Sequence, residues 1–173
     1  FPSAKSVVLL MWEKAKDFLT RAFTVIFMAT VIIWFMQTFD TRLNVVENSG
    51  SSILAALGRL VSPIFAPLGF GDWRMVTALV SGFTAKEAVV STFGVILGVS
   101  TEQLGIALHS LFTTASAASF LAFCLLYTPC VAAVSTIKTE LKSGWKTVGI
   151  VFAQCLVAWL AAFMVYHVGL LLT

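Results

Sequence analysis

The chain has 173 residues, of which 59% are apolar and only 11% are charged, and its formal net charge is +3. Soluble domains carry about 25% charged residues, so this composition excludes a domain that faces water on all sides, a cytosolic enzyme and a nucleic-acid-binding module. Three cysteines lie inside apolar runs and are too few for the framework of a disulfide-stapled domain. The composition indicates a membrane protein.

The chain begins at Phe1, without an initiator methionine and without the pattern of a signal peptide. We therefore expect residues 1–173 to be one membrane domain of a longer polypeptide. The sequence contains no phosphate-binding loop, no dinucleotide-binding turn and no zinc-protease motif, so neither nucleotide nor zinc chemistry can be assigned to it. We expect these residues to hold no cofactor and to catalyse no reaction.

The first apolar segment is Ala22–Met36, which is uncharged and extends through Phe39. A helix that crosses a hydrocarbon core of about 30 Å needs about 20 mainly apolar residues, so this segment predicts a first full span. Basic residues precede it, namely Lys5, Lys14, Lys16 and Arg21. Because short cytoplasmic segments are rich in Lys and Arg, we place this end of the span in the cytoplasm.

The connection between Asp40 and Arg74 contains apolar residues at helical spacing: Ile53, Leu54, Leu57, Leu60, Val61, Ile64 and Phe65. Arg59 lies off this apolar face, so the pattern predicts an amphipathic helix at the membrane interface. The following turn, residues 69–74, contains Asp72, which is a good N-cap for the next helix.

The segment Val76–Val99 carries Lys86 and Glu87 in its middle. A charge at the centre of a lipid-facing helix costs at least about 2.5–3.5 kcal/mol, so an ordinary exposed span is excluded. We predict a re-entrant or broken segment buried among other helices. The alternative is that residues 76–116 cross the membrane twice.

Two further spans are predicted near the end of the chain. Ala115–Ile137 is apolar but contains Pro129, which removes a backbone donor and predicts a kinked or broken span. Thr147–Thr173 has no charged residue and predicts a final full span. The predicted fold is therefore an all-α, polytopic membrane bundle with about three full spans, a re-entrant or broken segment and an interfacial helix.

A stripe of polar and small residues would lie along one face of a continuous helix: Thr84, Glu87, Ser91, Gly94 and Gly98. Because an intramembrane carboxylate usually faces a cavity, the stripe favours an ion or proton pathway. Lys86 points elsewhere and either snorkels or pairs with another helix. The structural alternative is that Lys86 and Glu87 form a pair, or that Glu87 caps a re-entrant turn.

A second candidate site surrounds Cys130. Pro129 should free the carbonyl of Leu125 near the Cys130 thiol, with two hydroxyls in reach, those of Tyr127 and Thr128. This mixture of soft and hard donors suits a divalent first-row metal ion. The alternative is a small buried thiol beside an ordinary proline kink. We expect the other two cysteines to be inert buried thiols.

Three segments carry a family resemblance: GFTAKEAVVST at 82–92, LYTPCVAA at 126–133 and SGWK at 143–146. Together with LMWEKAKDF at 10–18 and the turn at 69–74, they resemble, in the same order, the C-terminal membrane part of the bacterial ferrous iron transport protein B family, FeoB. The resemblance covers most of the chain. Each segment is weak evidence by itself, and the combination is specific.

The resemblance implies the second gate half of a multi-pass Fe²⁺ importer of the bacterial inner membrane. Cys130 matches a cysteine proposed in that family to line the iron route, and Lys86 and Glu87 belong to its other signature segment. GTP hydrolysis would occur only in an N-terminal domain outside this chain. The implied partners are the lipid bilayer, Fe²⁺, that GTP-binding domain, the first gate half and, in a homo-oligomer, further copies.

Two other functions remain open from the sequence. One is a non-conducting membrane assembly module that holds a partner subunit. The other is a gate-type transporter of an organic solute such as a nucleoside, since broken helices serve that transport as well.

Overall fold

The computed structural model describes residues 3–46, 48–128 and 130–172. Within these residues the chain forms eight α-helices: α1 Ala4–Thr38, α2 Ile53–Phe65, α3 Trp73–Gly82, α4 Ala88–Leu97, α5 Thr101–Leu111, α6 Thr114–Leu126, α7 Val131–Leu141 and α8 Gly144–Leu172. The extended pairing found among them is an isolated bridge between Phe39 and Val45. The predicted all-α fold is confirmed.

By length and composition, α8 and the segment Thr114–Leu141 are long and apolar enough to cross a membrane. The number of candidate spans rises to four if each of two bent helix pairs is counted as one. The predicted final span therefore lies in α8, with Thr173 outside the described residues. The apolar part of α1, Phe23–Thr38, is shorter than the predicted first full span. The part of α1 that precedes it carries charged residues such as Lys14 and Lys16. The protein is a multi-pass membrane bundle.

The first bent pair joins Ile53–Leu68 to Trp73–Gly82 at an angle of 103°. Asp72 caps α3 as predicted, since its carboxylate accepts the backbone N–H of Arg74 at 2.8 Å and pairs with the Arg74 guanidinium at 2.9 Å. The segment predicted to be an interfacial helix forms α2. Its Leu54 is fully buried against the bundle, whereas two members of the predicted apolar face are exposed on the protein surface, Leu60 and Ile64.

The core is built from aromatic side chains that α4, α6 and the turn before α3 bring together. The rings of Phe70 and Phe120 meet edge to face at 5.4 Å, and those of Phe93 and Phe120 lie 5.8 Å apart. Helix α8 packs along α6, where the Ser119 hydroxyl donates to the carbonyl of Ala162 at 2.9 Å. Small side chains such as that of Ala162 let two helices approach closely. This packing against α8 holds α6 in place.

Both segments predicted to be interrupted are interrupted. Helix α3 ends at Gly82 and α4 begins at Ala88, while α6 ends at Leu126 and α7 begins at Val131. In the first break, the Thr84 hydroxyl donates to the Ser81 carbonyl at 2.7 Å, and the Thr84 backbone N–H donates to the same oxygen at 3.1 Å, so Thr84 caps the end of α3.

The second break follows from the sequence, because a residue that precedes proline is pushed away from helical conformation. Thr128 is that residue, and it is not helical in the structure. Pro129 itself lies outside the described residues.

Candidate ion-pathway site

The two breaks are in direct contact. The backbone N–H of Val131, at the start of α7, donates to the Phe83 carbonyl just after α3 at 3.0 Å. The Tyr127 hydroxyl donates to the Leu79 carbonyl of α3 at 3.4 Å. Helix ends leave backbone N–H and C=O groups without partners, and here one interrupted helix supplies partners to the other. The result is a local polar region inside an apolar bundle.

Gly82 makes this close approach possible. A Cβ atom at position 82 would collide with the side chain of Val89 and would stand 2.8 Å from the Tyr127 hydroxyl. Glycine at the last residue of α3 therefore allows the two breaks to contact each other.

Lys86 connects the first break to the second. Its ammonium donates to the Leu125 carbonyl at 3.2 Å and lies 5.1 Å from the centre of the Tyr127 ring. Leu125 is four residues before Pro129 in the sequence, and a proline has no N–H to offer to a helix. Of the two alternatives that the sequence left open for Lys86, the structure shows the contact with another helix.

Glu87 does not take either of the two structural roles considered for it. It is exposed and occupies the N-cap position of α4, but its side chain makes no capping hydrogen bond. Lys86 has no carboxylate partner among the residues that the structure describes. Neither the pair of Lys86 with Glu87 nor the carboxylate cap is present.

The structure corrects the prediction of a continuous polar stripe. Because the chain breaks between Gly82 and Ala88, Thr84 lies in a turn and its side chain is held by α3. Glu87 is exposed, and so is Ser91 on α4. Thr84 therefore does not share a helix face with Glu87 and Ser91, since the spacing argument required an unbroken helix.

Cys130 lies at the N-cap of α7, is half-buried and makes no capping hydrogen bond through its thiol. Thr128, two residues earlier, is 4% exposed, and its hydroxyl has no hydrogen-bond partner among the described residues. An unsatisfied buried hydroxyl costs about 1–3 kcal/mol, so this oxygen is available to a ligand or a water molecule.

Among the residues described, no three His, Cys, Asp or Glu side chains form a group that could hold a metal ion. The donors at the second break are therefore one thiol, one unpartnered hydroxyl and backbone carbonyls. Cys124 and Cys155 are also free and half-buried. Side-chain burial alone therefore does not distinguish the three thiols. What distinguishes them is their position relative to the helix breaks, because Cys130 lies at the second break.

A cavity of about 700 Å³ opens between α4, α5 and α6, next to the breaks. Its walls are mainly apolar, and its polar lining includes Lys86, Cys124 and His109. The sequence analysis missed this cavity. The cavity depends on the 81° bend between Ala88–Leu97 and Glu102–Leu111. No local sequence pattern predicts the size of this angle.

Fold and site together define an all-α membrane domain with two interrupted helices that meet inside the bundle, which is an arrangement typical of transport proteins. A family model described as "Gate: Nucleoside recognition" matches residues 19–144. The chain therefore belongs to this Gate family.

The chain is similar along nearly its whole length to several curated proteins. It is 38% identical over 170 residues to the "Fe(2+) transporter FeoB" of Staphylococcus aureus (strain COL), covering 97% of this chain and 25% of that protein. The protein of the same name from Methanocaldococcus jannaschii is 32% identical over 178 residues, covering 99% of this chain and 26% of that protein. The predicted resemblance to the C-terminal gate domain of the FeoB family is thereby confirmed.

A fusion protein from Porphyromonas gingivalis, named "Fe(2+) transport protein A/Fe(2+) transporter FeoB fusion protein", is 28% identical over 219 residues and is matched over 26% of its length. The chain thus spans about a quarter of the length of the curated relatives it matches. No solved structure matches the chain significantly.

Proposed function

We propose that this chain forms, together with the rest of its transporter, part of the route by which Fe²⁺ crosses the bacterial inner membrane. The observation that carries the proposal is the contact between the two helix breaks, made by the bond from Val131 N–H to the Phe83 carbonyl. Interrupted helices expose backbone oxygens and helix ends at membrane depth, where transporters commonly bind ions. The names of the relatives supply the identity of the ion.

In this proposal Cys130 is the soft ligand, because a thiolate prefers transition metals over Mg²⁺ or Ca²⁺. The unpartnered hydroxyl of Thr128 is the neighbouring hard ligand. Glu87 is exposed beside the first break and attracts cations to it. Thr84 and Pro129 have supporting roles, since they favour the two breaks. Ser91 offers a hydroxyl on α4, the helix whose N-cap position Glu87 occupies.

The proposal assigns no catalysis to this chain. The energy for transport comes from GTP hydrolysis in an N-terminal domain that this sequence does not include. The lipid bilayer, Fe²⁺, that domain and a first gate half are the partners, and self-association of the transporter is compatible with the exposed apolar surfaces of α1 and α8.

Two alternatives from the sequence have less support. The family description mentions nucleoside recognition, but the similar proteins from bacteria and an archaeon all carry iron in their names. A non-conducting assembly module would not need an unpartnered hydroxyl and a thiol beside two helix breaks. Iron transport accounts for both.

The proposal is tested by thiol protection in the intact transporter under anaerobic, reducing conditions. Fe²⁺ should slow the reaction of Cys130 with a membrane-permeant maleimide severalfold, because a metal-bound thiolate is not free to attack. Two double variants isolate single thiols: Cys124→Ser with Cys155→Ser leaves Cys130, and Cys130→Ser with Cys155→Ser leaves Cys124. Equal rates with and without Fe²⁺ at Cys130 would contradict the proposal, as would equal protection of Cys124.

A second prediction concerns orientation and uses three exposed positions, Lys14, Asn48 and Lys142. Single cysteines at these positions, in a transporter without its native thiols, should label differently with an impermeant maleimide added outside. Because Lys-rich ends face the cytoplasm, we expect the cysteine at 48 to react and those at 14 and 142 to stay unlabelled until the membrane is permeabilised. Labelling of position 142 from outside would overturn the three-span orientation.

A further inference from the structure

The ammonium of Lys86 is held as a bound cation would be held. It lies against the Leu125 carbonyl oxygen at 3.2 Å and over the Tyr127 ring at 5.1 Å. Carbonyl oxygens and aromatic faces are both cation-binding groups. No carboxylate among the described residues neutralises its charge. The side chain thus brings a positive charge from the first break to the end of α6, where the second break begins.

Lys86 also has space into which its ammonium can move. The same side chain lines the cavity of about 700 Å³ between α4, α5 and α6. A lysine side chain is a flexible four-carbon stem with a single charge at its end. The ammonium can therefore leave the Leu125 carbonyl by rotating about its own side-chain bonds, with the backbone of the break unchanged.

From these two features, and resting on the proposed Fe²⁺ route, we propose that Lys86 is a tethered gate cation: its ammonium occupies the Leu125 carbonyl in the closed state and withdraws into the cavity when a divalent cation passes. Two positive charges cannot share one carbonyl, because their repulsion is strong in a medium of low dielectric constant. The gate therefore resists cation leakage, and it opens when the Lys86 ammonium rotates away from the carbonyl into the cavity.

The test is Fe²⁺ flux into proteoliposomes that contain the intact transporter, measured anaerobically with and without GTP. In Lys86→Met the stem is kept and the charge is removed, so nucleotide-free flux should rise about tenfold or more over wild type. Lys86→Arg keeps the charge and should stay closed without GTP. Lys138→Met is the matched control, since Lys138 is an exposed lysine on α7 and its loss should leave nucleotide-free flux unchanged.

The other possible results would each overturn either the gate or the proposed function. Unchanged nucleotide-free flux in a Lys86→Met protein of normal abundance would overturn the gate, and so would loss of GTP-dependent flux in that variant. If neither Lys86→Met nor Lys86→Gln accumulates in the membrane, Lys86 is a folding residue and the gate is overturned. Absence of GTP-dependent Fe²⁺ flux in the wild type would instead contradict the proposed function.

Discussion

Fe²⁺ uptake by the intact transporter is expected to fall at least about tenfold when Cys130 is replaced by serine, because even the loss of an outer-shell partner of a metal ligand commonly costs 10–100-fold. Serine has nearly the same size but replaces the soft donor with a hard hydroxyl. Cys130 is the N-cap of α7 and makes no capping bond, and serine is a good N-cap. The variant should therefore fold normally. Uptake of radioactive iron per transporter molecule, under reducing and anaerobic conditions, measures the effect.

The other two cysteines provide the control for the loss of a half-buried thiol. Cys124 lies near the end of α6 and Cys155 in α8, and both are half-buried like Cys130. Cys124→Ser and Cys155→Ser should each retain most of the uptake. If all three variants match the wild type, Cys130 is not in the route, and oxygen donors such as Thr128 and Glu87 carry the ion without it.

The largest loss of stability is expected for Gly69→Ala. Gly69 has φ of +81°, in the left-handed region, and a Cβ atom there would collide with the ring of Tyr166 on α8. The left-handed conformation costs about 1–2 kcal/mol for a residue with a Cβ atom, and overpacking costs about 1–3 kcal/mol more. We therefore expect the free energy of unfolding to fall by about 2–5 kcal/mol, seen as a lower Tm of the purified transporter in detergent.

Two other glycines separate the backbone effect from the collision. Gly98 also has a positive φ, +64°, but a Cβ atom there meets nothing within 4 Å. Gly98→Ala should therefore cost only the backbone part, about 1–2 kcal/mol. Gly149 lies within α8 in open space, where alanine should stabilise the helix by about 0.5–1 kcal/mol. A Gly69→Ala protein no less stable than Gly98→Ala would show that the Tyr166 contact is unimportant.

Several features follow from local sequence alone. Hydrophobic length predicts the helix that became α8, and Pro129 predicts both the break after α6 and the free carbonyl of Leu125, which Lys86 occupies. Asp72 caps α3 as its side chain and position predict. These predictions succeed because each depends on a few neighbouring residues and on the backbone hydrogen bonds that those residues form or forbid.

The prediction of a continuous polar stripe failed at Thr84 for the opposite reason. A helical spacing argument assumes that the helix continues, and the chain stops being helical at Gly82, where the Thr84 hydroxyl satisfies the end of α3. Competition between local hydrogen bonds of a short polar side chain and the helix ladder decides such a point. Its outcome depends on what packs around the break.

Short segments of sequence predict the membrane class, the helical elements, the two interruptions and the family, because hydropathy, proline chemistry and motif order are local properties. The contact between the interruptions, through Val131 and Phe83, is visible only in three dimensions, and so is the position of Lys86 between the Leu125 carbonyl and a cavity. These contacts join residues about 40–50 positions apart, and the cavity lies beside helices that meet at a bend of 81°. Such angles result from the packing of the whole bundle, which no local pattern encodes.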